Sequence, residues 1–432
     1  MTDFKVDIPK GSIEIDGNSL IFELKGDPQY GLDKSIVNGL RRVLLASLPS
    51  VAFRTAGDNP DLVMVKNNTS LHNEFLLHRF SLIPLYLNPL EWHKDLLFKL
   101  HVKNETNMLK SISAKDIDIY NIKPVILERC KREDDFSSLN ELKIDNYDLS
   151  KPLEEKDKEK IFRPFTLPAP YNLKEYCLIT ELTSNQSLDN VSELELYGSP
   201  SVSTCNEDVR WQHVSCATYS FKEDEDLFVK VVKEKMIINN IPHEREAEFL
   251  KELQLSEGER YFKRDVNLQP YWYNFRIDSQ SYFPPNKSDK GDGLLVQASD
   301  LLVKIFEGLK TEFRKLLEGD PGSIMEFKKL NEENDLVYKI VMVGGDDTIG
   351  SVLQSHISNK LIGEDSILSL CGYKKLHPLE EVITFTLSLN TKNKIIKMDN
   401  IQKKNAIVEE MIKGCNEVSL IYQKINDECN KV

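Results

Sequence analysis

The chain lacks three things, and each absence excludes a class of function. No apolar run in its 432 residues approaches the ~18 needed to cross a membrane as a helix. No CxxC occurs: seven cysteines are scattered at 130, 177, 205, 216, 371, 415 and 429. That spacing predicts reduced thiols and speaks against a disulfide framework or a cysteine zinc site. Positive charge is in deficit, with 56 Lys+Arg against 69 Asp+Glu and a net charge of −13. A dedicated nucleic-acid binder normally carries a net basic face, so direct binding is not expected. The polar opening, Met1 to Gly17, lacks the apolar core of a secretory signal.

What is present reads as globular. Hydrophobic residues make up 40% and charged residues 29%, and the length suggests two or three domains at about 150 residues each. Ser19 to Lys25 alternates apolar and polar, the period of a strand. Asp33 offers a helix cap, and Ile36, Val37, Leu40, Val43, Leu44 and Leu48 form a helical stripe ended by Pro49. Short strand-like runs fill 60–210, broken by the solvated charged stretch Lys151 to Lys160 and by Pro164, Pro168 and Pro170. Strands are expected within Arg210 to Phe221 and Tyr271 to Asp278. A long helix should follow, capped by Asp292, striped from Leu294 to Leu317 and stopped by Gly319 and Pro321.

Beyond a polar linker at 319–334, the opening plan returns. Leu336 to Val343 is a strand, Asp346 and Asp347 cap a helix with a stripe from Ile349 to Leu361, and Val382 to Leu389 is a strand. A final long helix, capped by Asp399 or Asn400, carries Ile401, Val408, Met411, Ile412, Cys415, Val418, Tyr422 and Ile425. Strand, capped helix, strand and long helix thus occur twice. Neither copy can bury its helix stripes alone, so the two are expected to pack on each other as an intramolecular pseudo-dimer.

Several segments match one family. Ser35 to Leu45 (SIVNGLRRVLL) resembles the first helix of the alpha-like RNA polymerase subunits. Asn68 to Leu85 (NTSLHNEFLLHRFSLIPL) resembles their loop pattern N-T-S-x-L-H-D-E-x-x-x-H-R-x-G-x-I-P-L. Asp346 to Leu353 is similar to the E-D-H-T-L-G-N-L-L start of the small partner subunit, and Cys371 to Glu380 to its A-G-Y-x-x-P-H-P-L-E. The first ~320 residues therefore resemble the third-largest subunit of RNA polymerase II and its archaeal counterpart. The last hundred or so resemble the eleventh subunit and its archaeal counterpart. Such fusions resemble those in polymerases of large nucleocytoplasmic DNA viruses. Departures occur at Asn73, Ser81, Asp347 and His213.

The resemblance implies an α+β fold of two alpha-like dimerisation halves with a mostly β insert in the first. Its units would be 1–58 with 211–318, the insert 59–210, the linker 319–334 and the second half 335–432. It implies a non-catalytic platform, without cofactor or metal, holding the two largest catalytic subunits and a small accessory subunit. Nucleic acid would be reached only through the complex, and neither membrane binding nor a homodimer is expected. The setting would be host cytoplasm or virion if the protein is viral, and the nucleus otherwise. Implied docking residues are Asn38, Arg41, Arg42, His72, Glu74, Arg79, Asp347, Thr348, Tyr373 and His377.

Plainer readings stand beside these. Arg41 and Arg42 can be a solvated pair. His72, Glu74, His78 and Arg79 read better as a loop anchored by Ile83-Pro84-Leu85 than as a metal or acid–base cluster. Gly344-Gly345 reads as a turn, because Asp346 and Asp347 would repel a phosphate. Nothing in the sequence orients Cys371 and His377 as nucleophile and base. The run Glu223 to Asp226 reads as a solvated loop or as an acidic docking segment. The remaining alternative is a stand-alone enzyme or nucleic-acid-binding factor on another α+β fold.

Overall fold

A computed structural model describes residues 4–55, 60–92, 95–121, 149, 151–184, 191–286, 293–331 and 334–431. Strands β1 (Val6–Asp7), β2 (Glu14–Asp16) and β3 (Ser19–Gly26) lead into helix α1 (Lys34–Ala46). Strands β4 (Pro49–Ala52) and β5 (Leu62–Asn67) precede helix α2 (Asn73–Ser81). Strands β6 (Leu96–Asn104), β7 (Lys110–Ser113) and β8 (Ile117–Asn121) precede helix α3 (Glu155–Phe162). Next come β9 (Phe165–Thr166), β10 (Lys174–Glu175), β11 (Leu178–Leu182), β12 (Ser192–Gly198), β13 (Ser201–Thr204) and β14 (Val214–Phe221). Helices α4 (Glu225–Ile238) and α5 (Glu246–Glu257) lie between β14 and β15 (Trp272–Ser279). The chain closes with α6 (Leu294–Glu318), β16 (Met325–Asn331), β17 (Asn334–Val343), α7 (Asp347–His356), β18 (Leu368–Lys375), β19 (Val382–Leu389) and α8 (Asn400–Cys429).

The described chain forms two compact units. The first comprises Met1–Leu45, Val214–Ser279 and Pro284–Val432; the second comprises Ala46–His213 and Gln280–Phe283.

The first unit holds two antiparallel sheets of one design. One has the order β1-β3-β15-β14, with β2 also on β3; the other has the order β16-β17-β19-β18. In each, an edge strand leads to a central strand, a helix, a hairpin and a long helix. The repeat is therefore richer than the sequence plan, which missed β18. Tight alternation explains β19, where Ile383, Phe385, Leu387 and Leu389 are all buried. Helix α6 buries Leu294, Leu295, Ala298, Leu302, Phe306, Leu309, Phe313 and Leu316, and ends on Gly319 at φ +74°. That left-handed turn favours glycine because it has no Cβ to clash. Its expected cap, Asp292, lies outside the described residues, and Gly293 holds the cap position. Helix α8 buries its expected stripe except at Ile412, which is half-buried, and Ile401, which is exposed in the first turn.

The two long helices meet inside this unit. Phe306 of α6 stacks on Tyr422 of α8 at 5.7 Å. The Tyr422 hydroxyl donates to the Ile36 carbonyl of α1 at 3.0 Å, and Ser419 donates to Glu307 at 3.0 Å. Gly39 of α1 lets the helices approach, since a Cβ there would lie 2.5 Å from the Tyr422 oxygen.

The second unit carries the sheet β5-β12-β6-β8 and the strand pairs β9–β10, β7–β11 and β4–β13. Its core is aromatic: Phe53 packs on Phe80 and Phe98 at 5.1 Å each, and Phe98 on Phe162 at 6.2 Å.

Four expectations are corrected. The segment read as a linker contributes β16, paired antiparallel to β17. The charged stretch Lys151 to Lys160 is largely exposed, as expected, but it contains α3 where a linker was read, and its Lys158 is buried and bonds Asp118 at 3.0 Å. The acidic run at 223–226 starts α4: Asp224 caps it by accepting from the Leu227 amide at 3.2 Å, and Glu225 and Asp226 face its positive end. Asn73 to Ser81 is a helix, where a loop was expected.

Candidate functional site

The expected docking residues fall into three places. The first is α1. Asp33 caps it, accepting from the Ser35 amide at 2.8 Å. Its second carboxylate oxygen accepts from Ser355 and Asn359, both at 2.7 Å. Burial would raise the Asp33 carboxyl, but hydrogen bonds from Ser35, Ser355 and Asn359 outweigh it and hold the group below its ordinary value. The buried stripe of α1 sits on the chain's own core, so the opposite face turns outward. That face carries half-buried Asn38 and Arg41 and exposed Arg42. Arg41 Nε donates to Asn38 Oδ1 at 2.9 Å, which orients the guanidinium. Neither arginine has a carboxylate partner among the described residues.

The second place is α2. His72 caps the helix, with Nδ1 accepting from the Glu74 amide at 3.4 Å. Leu76 and Phe80 turn inward, and Ile83 and Leu85 are buried, as expected of the apolar anchor. His72, Glu74, His78 and Arg79 are exposed. Arg79 reaches the Leu178 carbonyl at 3.5 Å. The helix also exposes Phe75 and Leu82, which the sequence reading did not single out. A period-3.6 count from Leu76 and Phe80 would have placed both on the outer face.

The third place is the second half of the first unit. Asp346 caps α7, accepting from the Ile349 amide at 3.0 Å, as expected for the Gly-Gly-Asp-Asp turn. Asp347 follows in the first helical turn. Thr348 is a correction: it is buried, and its methyl faces Gly39 of α1, so it packs the chain's own core and offers no outer surface. Tyr373 is half-buried against Gly350, where a Cβ would lie 2.6 Å from its ring. His377 is exposed in the turn between β18 and β19, its Nδ1 accepting from the Leu379 amide at 3.2 Å. Burial pushes the Cys371 thiol up to about 12, away from the thiolate form that a nucleophile uses.

One group of metal-ligand type occurs among the described residues: His101, Glu193 and Glu195, with ligand atoms within 4.8 Å of one another. His101 and Glu195 are direct partners across β6 and β12. Glu193 is already bonded by Lys66 at 2.5 Å, His101 at 2.9 Å and Lys103 at 3.2 Å. Lys66 foremost, then His101, holds its carboxyl down at about 2. Two ammonium groups thus occupy the carboxylate a metal would need, and the arrangement is an ion-pair ladder. Cys130, weighed with Cys177 and Cys205 as a metal ligand, lies outside the described residues.

No family model matches the chain. Curated relatives do. Over 243 residues it is 26% identical to DNA-directed RNA polymerases I and III subunit rpac1 of Dictyostelium discoideum, covering 55% of this chain and 59% of that protein. Over 87 residues it is 38% identical to DNA-directed RNA polymerases I and III subunit RPAC1 of Homo sapiens, 20% of each chain. Over 56 residues it is 45% identical to DNA-directed RNA polymerase subunit Rpo3 of Pyrobaculum calidifontis, covering 13% of this chain and 19% of that protein. The chain thus spans about three fifths of the Dictyostelium relative and smaller shares of the others. Over part of its length, the chain is homologous to RNA polymerase subunits of the RPAC1 and Rpo3 kind.

Proposed function

We propose that the chain is a non-catalytic platform subunit of a DNA-directed RNA polymerase. Its two halves are a fused, intramolecular counterpart of a two-chain alpha-like dimer, and the unit rich in strands is an insert in the first half. It docks the two largest subunits through outer faces that include Asn38, Arg41, Arg42, His72, Glu74, Arg79, Asp347, Tyr373 and His377. Active-site chemistry belongs to those partners. Nucleic acid is reached through them, consistent with the charge of −13. The finer expectation of a viral polymerase, working in host cytoplasm or virion, rests on the fusion pattern alone.

One observation supports the reading: two sheets of matching strand order lie in one polypeptide whose relatives are polymerase subunits, and the long helices that follow them pack on each other. Affinity purification from the native source tests it. Two large polymerase subunits should co-purify in equal amounts. Purified alone, the chain should be monomeric and bind DNA only weakly at physiological salt.

A further inference from the structure

The two sheets of the first unit differ most in one connection. Strands β18 and β19 are joined through 376–381 alone, whereas residues 222–271, with α4 and α5, lie between β14 and β15. The shared sheet design does not require that insertion. It returns to β15 through a tight hairpin, with Arg264 bridged to Pro270 across the base. The tip exposes Val266 at 70% and Leu268 at 68%. It is nevertheless firmly built. Asp265 is buried, and its Oδ1 accepts from the Asn267 amide at 2.9 Å and the Gln269 amide at 2.8 Å. The Val266 amide donates to the Pro28 carbonyl at 3.3 Å. Leu268 sits at φ +61°, a left-handed conformation that crowds its Cβ and that Gly or Asn would adopt more easily. An apolar side chain held on strained backbone and turned to water points to a functional constraint at the tip.

Two arginines stand beside it. Arg260 and Arg264 are exposed. Arg264 stacks over Phe262 at 4.6 Å and donates to the Arg260 carbonyl at 3.1 Å, both neutral partners. Arg260 meets Glu257 at 4.0 Å, but Lys235 already holds that carboxylate at 2.5 Å. The tip's own carboxylate, Asp265, is committed to the backbone amides. The hairpin therefore offers water two guanidiniums and two apolar side chains.

We propose that this hairpin is a docking site for an acidic peptide segment that carries apolar side chains. Carboxylates match the fork geometry of the guanidiniums, and apolar residues of the segment cover Val266 and Leu268. A tip already fixed by Asp265 loses little freedom on binding. The inference is separate from the platform reading, since no docking residue assigned there lies within 222–271.

The test uses the full chain and short fluorescein-labelled peptides, read by fluorescence anisotropy. One alternates Asp with Leu, one Asp with Ser and one Lys with Leu. The chain as a whole is acidic, at −13, so an acidic peptide binds only where charge is locally reversed. The Asp/Leu peptide should bind about tenfold more tightly than either of the others. The double variant Arg260→Ala/Arg264→Ala, and Val266→Ser and Leu268→Asn singly, should each weaken it by about tenfold. Leu268→Asn suits the left-handed backbone and should melt no lower than wild type, so its loss of binding reads the side chain and not the fold. Arg41→Ala, on α1, should bind as wild type. Equal binding of the three peptides, preference for the Lys/Leu peptide, wild-type binding by the hairpin variants, or an equal loss in Arg41→Ala overturns the proposal. So does sedimentation showing that the tip instead joins two copies of this chain.

Discussion

Replacing Gly39 with alanine tests whether the first and second halves share one core. A Cβ there would meet the Tyr422 hydroxyl at 2.5 Å, Val352 at 3.3 Å and Thr348 at 3.7 Å. The last two are within reach of small adjustments. The first is not, because the Tyr422 ring is fully buried and its hydroxyl is held by the Ile36 carbonyl. Overpacking of this kind costs about 2 kcal/mol. Displacing the hydroxyl from its acceptor adds about 1 kcal/mol. Alanine returns about 1 kcal/mol through its better helix propensity. The net loss should be about 2 kcal/mol, read in urea unfolding, or roughly 4–8 °C in thermal melting. Tyr422→Phe removes the clashing oxygen. In that background Gly39→Ala should be close to neutral, so the double-mutant cycle should return a coupling of about 2 kcal/mol. Equal effects in both backgrounds, or a stabilised Gly39→Ala protein, would refute the packing of α1 on α8.

Three further predictions follow from other parts of the molecule. Asp33→Ala removes a helix cap and two bonds to the second half, and should destabilise by about 2–4 kcal/mol in urea melts. Glu193 has a depressed carboxyl, so its contribution is complete above about 4.5 and disappears as pH falls toward about 2; stability measured against pH should lose that slope in Glu193→Gln. Helices α4 and α5 interrupt a hairpin that in the second sheet closes through residues 376–381 alone. Replacing residues 222–271 with a short turn should therefore leave the first unit folded by circular dichroism, whereas loss of its cooperative transition would show the insertion to be part of the core.

Where period and punctuation agreed, the sequence was sufficient. Helix α6 declared itself through an unbroken stripe and the Gly319 stop, and β19 through strict alternation in VITFTLSL. Mixed signals hid other elements. Helix α3 is so charged that its two inward apolar residues, Ile161 and Phe162, read as noise; Lys158 is buried only because Asp118 on a distant strand meets it. Helix α2 has a short inward stripe, and exposed Phe75 and Leu82 stand among the polar residues of its outer face, which blurs its period. Strand β18 mixes Leu368 and Cys371, both buried, with exposed Leu370 across an irregular register between Leu368 and Leu370. Among the docking residues, the capping roles of His72 and the neighbours of Asp33 depend on local geometry and long-range contacts. Thr348 was misplaced because a polar residue in a helical first turn looks exposed until a glycine on another helix makes room for it.

The central claim is that the chain works as a polymerase platform. Quantitative mass spectrometry of the complex purified through the tagged chain tests it most directly. The account predicts one copy of this chain with one copy each of the two largest RNA polymerase subunits. A chain recovered alone, as a homodimer, or with activity of its own would contradict it.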